Sequence, residues 1–237
     1  MASPPKVDAS PQQGQKPPRA PGRYALGLAP GRDGLIFVPG RYQADQPAAL
    51  LVLLHGAASE AAAVLRHFEP LADMFAIIVL APDSRGRSWD LILDECGADV
   101  AFISRALRQI FAGYAIDPGR VAIGGFSDGA SCALSLGLAN GELFHAILAF
   151  SPGFALFAHR QGRPRIFISH GVQDKVLPVW RCSRTLVPRL QRLGYQVLYR
   201  EFDGKHIVPI EIIRESFEWL TGTVSARPPV PGPENRR

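Results

Sequence analysis

The sequence predicts an α/β fold: a mostly parallel central sheet with helices on both faces and no large cap domain. Three observations predict it. Short apolar runs recur through the middle of the chain without polar alternation, the pattern of strands buried on both faces. Amphipathic stretches of helical length separate them. Polar residues and glycines stand just after several runs, where the ligands of such sheets bind.

In chain order, LIFV (Leu35 to Val38) and ALLVLL (Ala49 to Leu54) read as strands, followed by a helix over Glu60 to Asp73. FAIIVL (Phe75 to Leu80) is the next strand, and a helix over Gly97 to Gly113 precedes RVAIGG, whose strand runs from Val121 to about Gly124. A helix over Asp128 to Ala139 leads to the strand AILAF, Ala146 to Phe150. IFIS (Ile166 to Ser169), a helix over Trp180 to Leu193, VLYREF (Val197 to Phe202) and a helix over Pro209 to Leu220 complete the series. The segment Ser151 to Arg165 is too short for a separate cap, so an open site is expected.

The 237 residues fit one domain, expected over 24–223, between Pro-rich tails at 1–23 and 224–237. Ten of the 21 prolines lie in those tails, with little apolar material to bury, and both tails are expected to be disordered. The tails also hold the whole net charge of +5. Lys6, Lys16, Arg19 and Arg23 stand against Asp8, and Arg227, Arg236 and Arg237 against Glu234, which leaves the body neutral. A neutral body without interleaved basic and aromatic residues argues against nucleic acid as a partner.

With 47% hydrophobic and 20% charged residues and no apolar run of spanning length, no integral membrane association is expected. The N-terminus has no apolar signal core, so a cytoplasmic protein is expected. Cys96, Cys132 and Cys182 are odd in number and widely spaced, which argues for buried thiols rather than a disulfide framework or a metal site. Monomer and homodimer are both compatible with the sequence.

The stretch GGFSDGASCA, Gly124 to Ala133, places Ser127 between an apolar strand and a helix, with Gly125 and Gly129 two residues to either side. A strand-to-helix turn this tight leaves no room for side chains at those two places, pushes the serine hydroxyl out above the sheet and points helix amides at it. The bland alternative is an ordinary helix N-cap serine. A serine hydroxyl is a nucleophile at neutral pH only when a base takes its proton and an acid orients that base.

Two later loops supply both. SHGVQDKVLP follows IFIS and carries Asp174; DGKHIVP follows VLYREF and carries His206. The order Ser127, Asp174, His206 is the order of α/β-hydrolases. Asp203 is the alternative acid by proximity to His206, and His55, His67, His145, His159 and His170 are alternative bases. Of these, His55 and His170 end strands but precede glycines, which suits residues that shape turns. The oxyanion hole is expected from the backbone N–H of Asp128 and of Ala57 in LLHGAAS. The Asp128 side chain reads as a partner of the helix dipole. Trp89, Phe154, Leu177 and Trp180 are candidates to line the substrate pocket, each with ordinary core packing as the competing role.

With LLHGAAS, APDSRGRSWD, GGFSDGASCALSLG, SHGVQDKVLP and DGKHIVP in order, residues 24–220 resemble the serine esterases of the phospholipase/carboxylesterase group within the α/β-hydrolases. They also resemble acyl-protein thioesterases and, more distantly, the catalytic domains of polyhydroxybutyrate depolymerases and feruloyl esterases. The resemblance implies Ser127 as nucleophile, Asp174 as acid and His206 as base, a small-molecule ester as substrate, and no cofactor or metal. Thioesterase and phospholipase activities share the chemistry and differ in the leaving group. Three positions depart from the pattern: Ala58 stands where Gly is frequent, Asp128 where thioesterases usually carry Gln, and Lys205 where Gly often precedes the histidine.

Overall fold

The computed structural model describes residues 5–11, 19–92 and 97–222. Eight strands form one sheet in the order β1-β2-β4-β3-β5-β6-β7-β8. They are β1 (Gly22–Ala25), β2 (Gly34–Val38), β3 (Ala48–Leu54), β4 (Ile77–Pro82), β5 (Ile116–Phe126), β6 (Ala146–Phe150), β7 (Arg165–Gly171) and β8 (Val197–Phe202). From β4 to β8 every neighbouring pair is parallel; β1 and β2 add an antiparallel edge next to β4. The helices among the described residues are α1 (Ala61–Met74), α2 (Ala98–Gly113), α3 (Asp128–Ala139), α4 (Ser183–Arg192) and α5 (Ile210–Thr221), with a 3-10 turn at Asp90–Ile92.

The absence of polar alternation in β3 has its explanation in the two cores. All seven of its residues are buried, and the side chains divide by the two-residue period of a strand. Leu50, Val52 and Leu54 join the core under α2, α3 and α4, whereas Ala49, Leu51 and Leu53 join the core under α1 and α5. Both faces are covered, so neither tolerates a polar row. Helix α3 is buried at every position from Gly129 to Ala139, which a helix wedged into a core requires.

Two expectations need correction. Strand β1 begins inside the stretch assigned to the N-terminal tail; it is a four-residue edge strand whose side chains are at best half-buried, so it lacks an apolar run. Residues 5–11 also depart from the expected disordered tail of 1–23. Val7 is buried among core side chains, and its N–H donates to Asn140 Oδ1 at 2.8 Å. Asn140 Nδ2 donates in turn to the carbonyl of Pro5 at 2.8 Å, so one amide side chain holds the extended segment as a strand neighbour would. Asp8 adds an N–H bond to Ser104 Oγ, and Arg108 binds the Asp8 carbonyl and carboxylate. The tail assigned to 224–237 lies outside the described residues, as does Cys96. Among the described residues no helix is long and apolar enough to cross a membrane.

Candidate active site

The end of β5 turns directly into α3 at Ser127. That residue adopts φ 58° and ψ −121°, a positive-φ conformation rarely taken by a residue with a side chain. The turn is held from three sides. Ser127 N–H donates to the Phe150 carbonyl of β6 at 3.0 Å, while the Ser127 carbonyl accepts from Ala130 and Ser131 at 3.0 and 3.1 Å. A Cβ at Gly125 would sit 2.5 Å from the carbonyl of Gly129, and one at Gly129 would strike the Leu54 and His55 carbonyls at the end of β3. Only glycine lets the strand, the helix and β3 converge here.

Three side chains from three loops meet in a line. Ser127 Oγ lies 2.9 Å from His206 Nε2, and His206 Nδ1 lies 2.5 Å from Asp174 Oδ2. The carboxylate accepts at Nδ1, so the ring proton is there and Nε2 is left to accept from the serine hydroxyl. The His206 ring also lies against Phe126, with centroids 4.6 Å apart. Asp174 is buried, and its Oδ1 accepts from the amides of Val176 and Leu177 at 2.9 and 2.8 Å. Burial alone would raise its pKa; the bonds from His206, Leu177 and Val176 outweigh that and hold the carboxyl below its ordinary value.

The alternatives weighed in the sequence separate in space. Asp203 accepts from Gln173 Nε2 at 2.5 Å and makes no bond to His206. His170 is buried: Nε2–H donates to the Leu177 carbonyl at 2.7 Å, and Nδ1 accepts from Ser183 Oγ at 2.7 Å. Burial lowers its pKa, so the ring is a neutral brace for the loop that carries Asp174, with Nε2 also 3.3 Å from Asp174 Oδ2. His55 is likewise buried and hydrogen-bonded at both nitrogens. Cys132 and Cys182 are buried, and burial raises the Cys182 thiol pKa.

The two backbone groups expected to form an oxyanion hole stand near the serine. Asp128 follows it as the first residue of α3, its carboxylate accepting from Ser88 Oγ at 2.7 Å. Ala57 and Ser127 line one cleft, and a Cβ at the neighbouring Gly56 would lie 3.5 Å from Ser127 Cβ. That cleft has a volume of about 520 Å³. Its walls are Ala63, Val64 and Phe68 of α1, Phe126, Val176, Ile207 and Val208, with His67 and Ser59 as polar members.

None of the four residues expected to line the pocket does so in this cleft. Trp89 is fully buried; its Nε1–H donates to the His55 carbonyl at 2.9 Å and its ring lies 4.9 Å from that of His55, which makes it a brace of the β3 end. Phe154 and Trp180 are 37% and 60% exposed, and Leu177 packs near Gly153. The sequence reasoning looked only at loops after strands and so missed α1. Residues of its apolar face line the cleft, and the pairing of Val64 with Phe68 at helical spacing was the available signal.

Comparison with known proteins agrees with this architecture. Residues 94–217 match the family model for phospholipase/carboxylesterase. The probable feruloyl esterase C of Aspergillus flavus is 28% identical over 156 residues, covering 62% of this chain and 56% of that protein. Its Aspergillus niger counterpart is 27% identical over 178 residues, covering 71% and 63%. The chain thus spans little more than half the length of these curated relatives. Among solved structures, esterase PE8 superposes with a TM-score of 0.66 at 23% identity, over 81% of this chain and 98% of that one. A ferulic acid esterase from Anaeromyces mucronatus, solved with ferulic acid, gives 0.64 at 16% identity over 90% and 93%. These structures share the fold, and the family model covers more than half of the sequence. The chain belongs to the phospholipase/carboxylesterase family of α/β-hydrolases.

Proposed function

We propose that the chain is a serine hydrolase of carboxylic esters, with Ser127 as nucleophile, His206 as base and Asp174 as the orienting acid. The observation that carries this reading is the unbroken hydrogen-bond line from Ser127 Oγ through His206 to Asp174. Ser127 Oγ attacks the ester carbonyl carbon while its proton passes to His206 Nε2. The carbonyl oxygen becomes an anion held by the amides of Ala57 and Asp128. The tetrahedral adduct collapses, the alcohol leaves with the proton from His206, and an acyl group stays on Ser127. Water then attacks the acyl carbon, giving its proton to His206, and the acid departs as Ser127 recovers its hydrogen. Asp174, held ionised, stabilises the imidazolium at both steps.

The apolar cleft beside Ser127 is the acyl site in this reading. A cavity of about 520 Å³ suits acyl groups of short to medium length or one compact ring system. The names of the relatives make a hydroxycinnamoyl ester the first natural-type substrate to assay. The test is fluorophosphonate labelling with peptide mapping, alongside turnover of p-nitrophenyl esters from acetate to palmitate and of methyl ferulate. Labelling confined to Ser127 and lost in Ser127→Ala, with turnover peaking below long-chain esters, supports the reading. A folded protein that neither labels nor turns over any of these esters refutes it.

A further inference from the structure

The turn between β1 and β2 contributes a side chain that no motif singles out. Arg32 reaches the loop that joins β3 to α1. One guanidinium nitrogen, Nη2, donates to the carbonyl of Ser59 at 2.9 Å and lies 3.2 Å from His55 Nε2 and 3.2 Å from Ser84 Oγ. The Nε–H donates to the Ser84 carbonyl.

A guanidinium cannot accept a hydrogen bond, so His55 Nε2 must be the acceptor. It also accepts from the Ser84 N–H at 3.0 Å. The ring proton is therefore on Nδ1, which lies 2.7 Å from the carbonyl of Gly56 and donates to it. Burial and the nearby Arg32 charge depress the His55 pKa against the opposite pull of the Gly56 carbonyl, Asp83 and Glu60, which keeps the ring neutral.

The peptide joining Gly56 to Ala57 is planar and trans, so its C=O and N–H point in opposite directions. Fixing the Gly56 carbonyl thus fixes the Ala57 N–H. The loop needs fixing: Ala58 adopts φ 53°, unfavourable for a residue with a side chain, and Ala57 and Ala58 are exposed. Arg32 binds on both sides of them, directly at Ser59 and through His55 at Gly56.

We propose that Arg32 is a positioning residue for ester cleavage: by holding the His55 tautomer and the Ser59 carbonyl it aims the Ala57 amide at the developing oxyanion. This rests on the reading of Ala57 as an oxyanion donor. Arg32 touches no reacting atom, and its effect appears where negative charge forms on the substrate oxygen.

The experiment compares the full chain with Arg32→Met and Arg32→Lys, each titrated for active sites with a fluorophosphonate. For p-nitrophenyl butyrate, kcat per active site should fall about 10- to 100-fold, less than the loss of a whole oxyanion donor, with KM within about 3-fold. Inhibition separates positioning from fastening. A trifluoromethyl ketone adds Ser127 Oγ to its carbonyl carbon, passes the proton to His206 and carries an oxyanion; its Ki should rise by the same factor as kcat falls. The neutral alcohol n-butanol occupies the same cleft and carries none, and its Ki should hold.

A variant with a lower melting temperature but unchanged kcat per active site makes Arg32 a fastener of loops and overturns the proposal. If Arg32→Met fails to fold, Arg32→Lys decides by the same ratios, because it keeps the charge and loses the fork of donors. A wild type without Ser127-dependent hydrolysis would bring down the functional reading and this proposal together. That result is visible before any Arg32 variant is made, so the two failures are distinguishable.

Discussion

Replacing Gly129 by alanine adds one carbon where three chain segments converge. Ordinary contact begins at 3.4 Å, and the new Cβ would stand 2.5 Å from the His55 carbonyl oxygen, 0.9 Å too close, and nearer still to that of Leu54. Both obstacles are backbone, so no side chain can swing aside. The end of β3 and the start of α3 must separate by much of that distance. Overpacking of this kind costs about 1–3 kcal/mol, which at about 2–4 °C per kcal/mol in a chain of this size lowers Tm by several degrees. The separation also moves the β3–α1 loop relative to Ser127. A misplacement approaching 1 Å costs on the order of 100-fold in rate. Gly31 is the control: nothing lies within 4 Å of a Cβ there, and alanine should leave Tm and rate close to wild type. Thermal melting and kcat per titrated active site measure the two effects. Gly129→Ala matching Gly31→Ala in both would refute the steric account of the turn.

Asp174→Asn should lower kcat by about 10³–10⁴-fold with little change in KM, because the amide no longer holds the working tautomer of His206. The folded-state pKa of Asp174 lies below the unfolded value, so its stabilising contribution is present above about pH 5 and fades as pH falls through 4. Denaturant melts should accordingly show the gap between wild type and Asp174→Asn closing in acid; a gap that widens there contradicts the assignment. Ala63→Phe fills the cleft from α1 and should cut kcat/KM for octanoate esters at least about 10-fold while acetate esters change by less than about 3-fold, read from one p-nitrophenyl series. Val7→Ala should lower stability by about 1–2 kcal/mol in chemical denaturation with kcat unaltered, since the side chain is buried far in sequence from the site; no change would mean the segment does not dock.

What could be read from the sequence depended on how local its cause is. Strands β3 to β7 were legible because two-sided burial writes itself into consecutive residues, as in Ala49 to Leu54. Ser127, Asp174 and His206 were legible because each stands just past a strand, and topology alone brings such loops to one edge. Strand β1 has half-buried edge residues and no pattern of its own. The docking of Val7 depends on Asn140, 133 residues away, and has no local signature. The cleft walls depend on which face of α1 rises beside Ser127, and Arg32 acts through three loops that only the fold assembles. The role of Trp89 stayed open between pocket wall and core because a large aromatic after a strand looks the same in sequence whether it faces a ligand or braces a backbone carbonyl.

Ser127 stands on α3, which is buried along its length in the middle of the sheet. His206 follows β8, an edge strand with half-buried side chains that pairs on one side only with β7. Ser127 and His206 are thus anchored in regions of different burial, and amide exchange should be slowest around α3 and faster along β8. On gradual warming the β8 edge should open before the central sheet and displace the His206 imidazole. Activity lost on mild heating should then return on cooling, and irreversible loss should begin only where the central sheet melts.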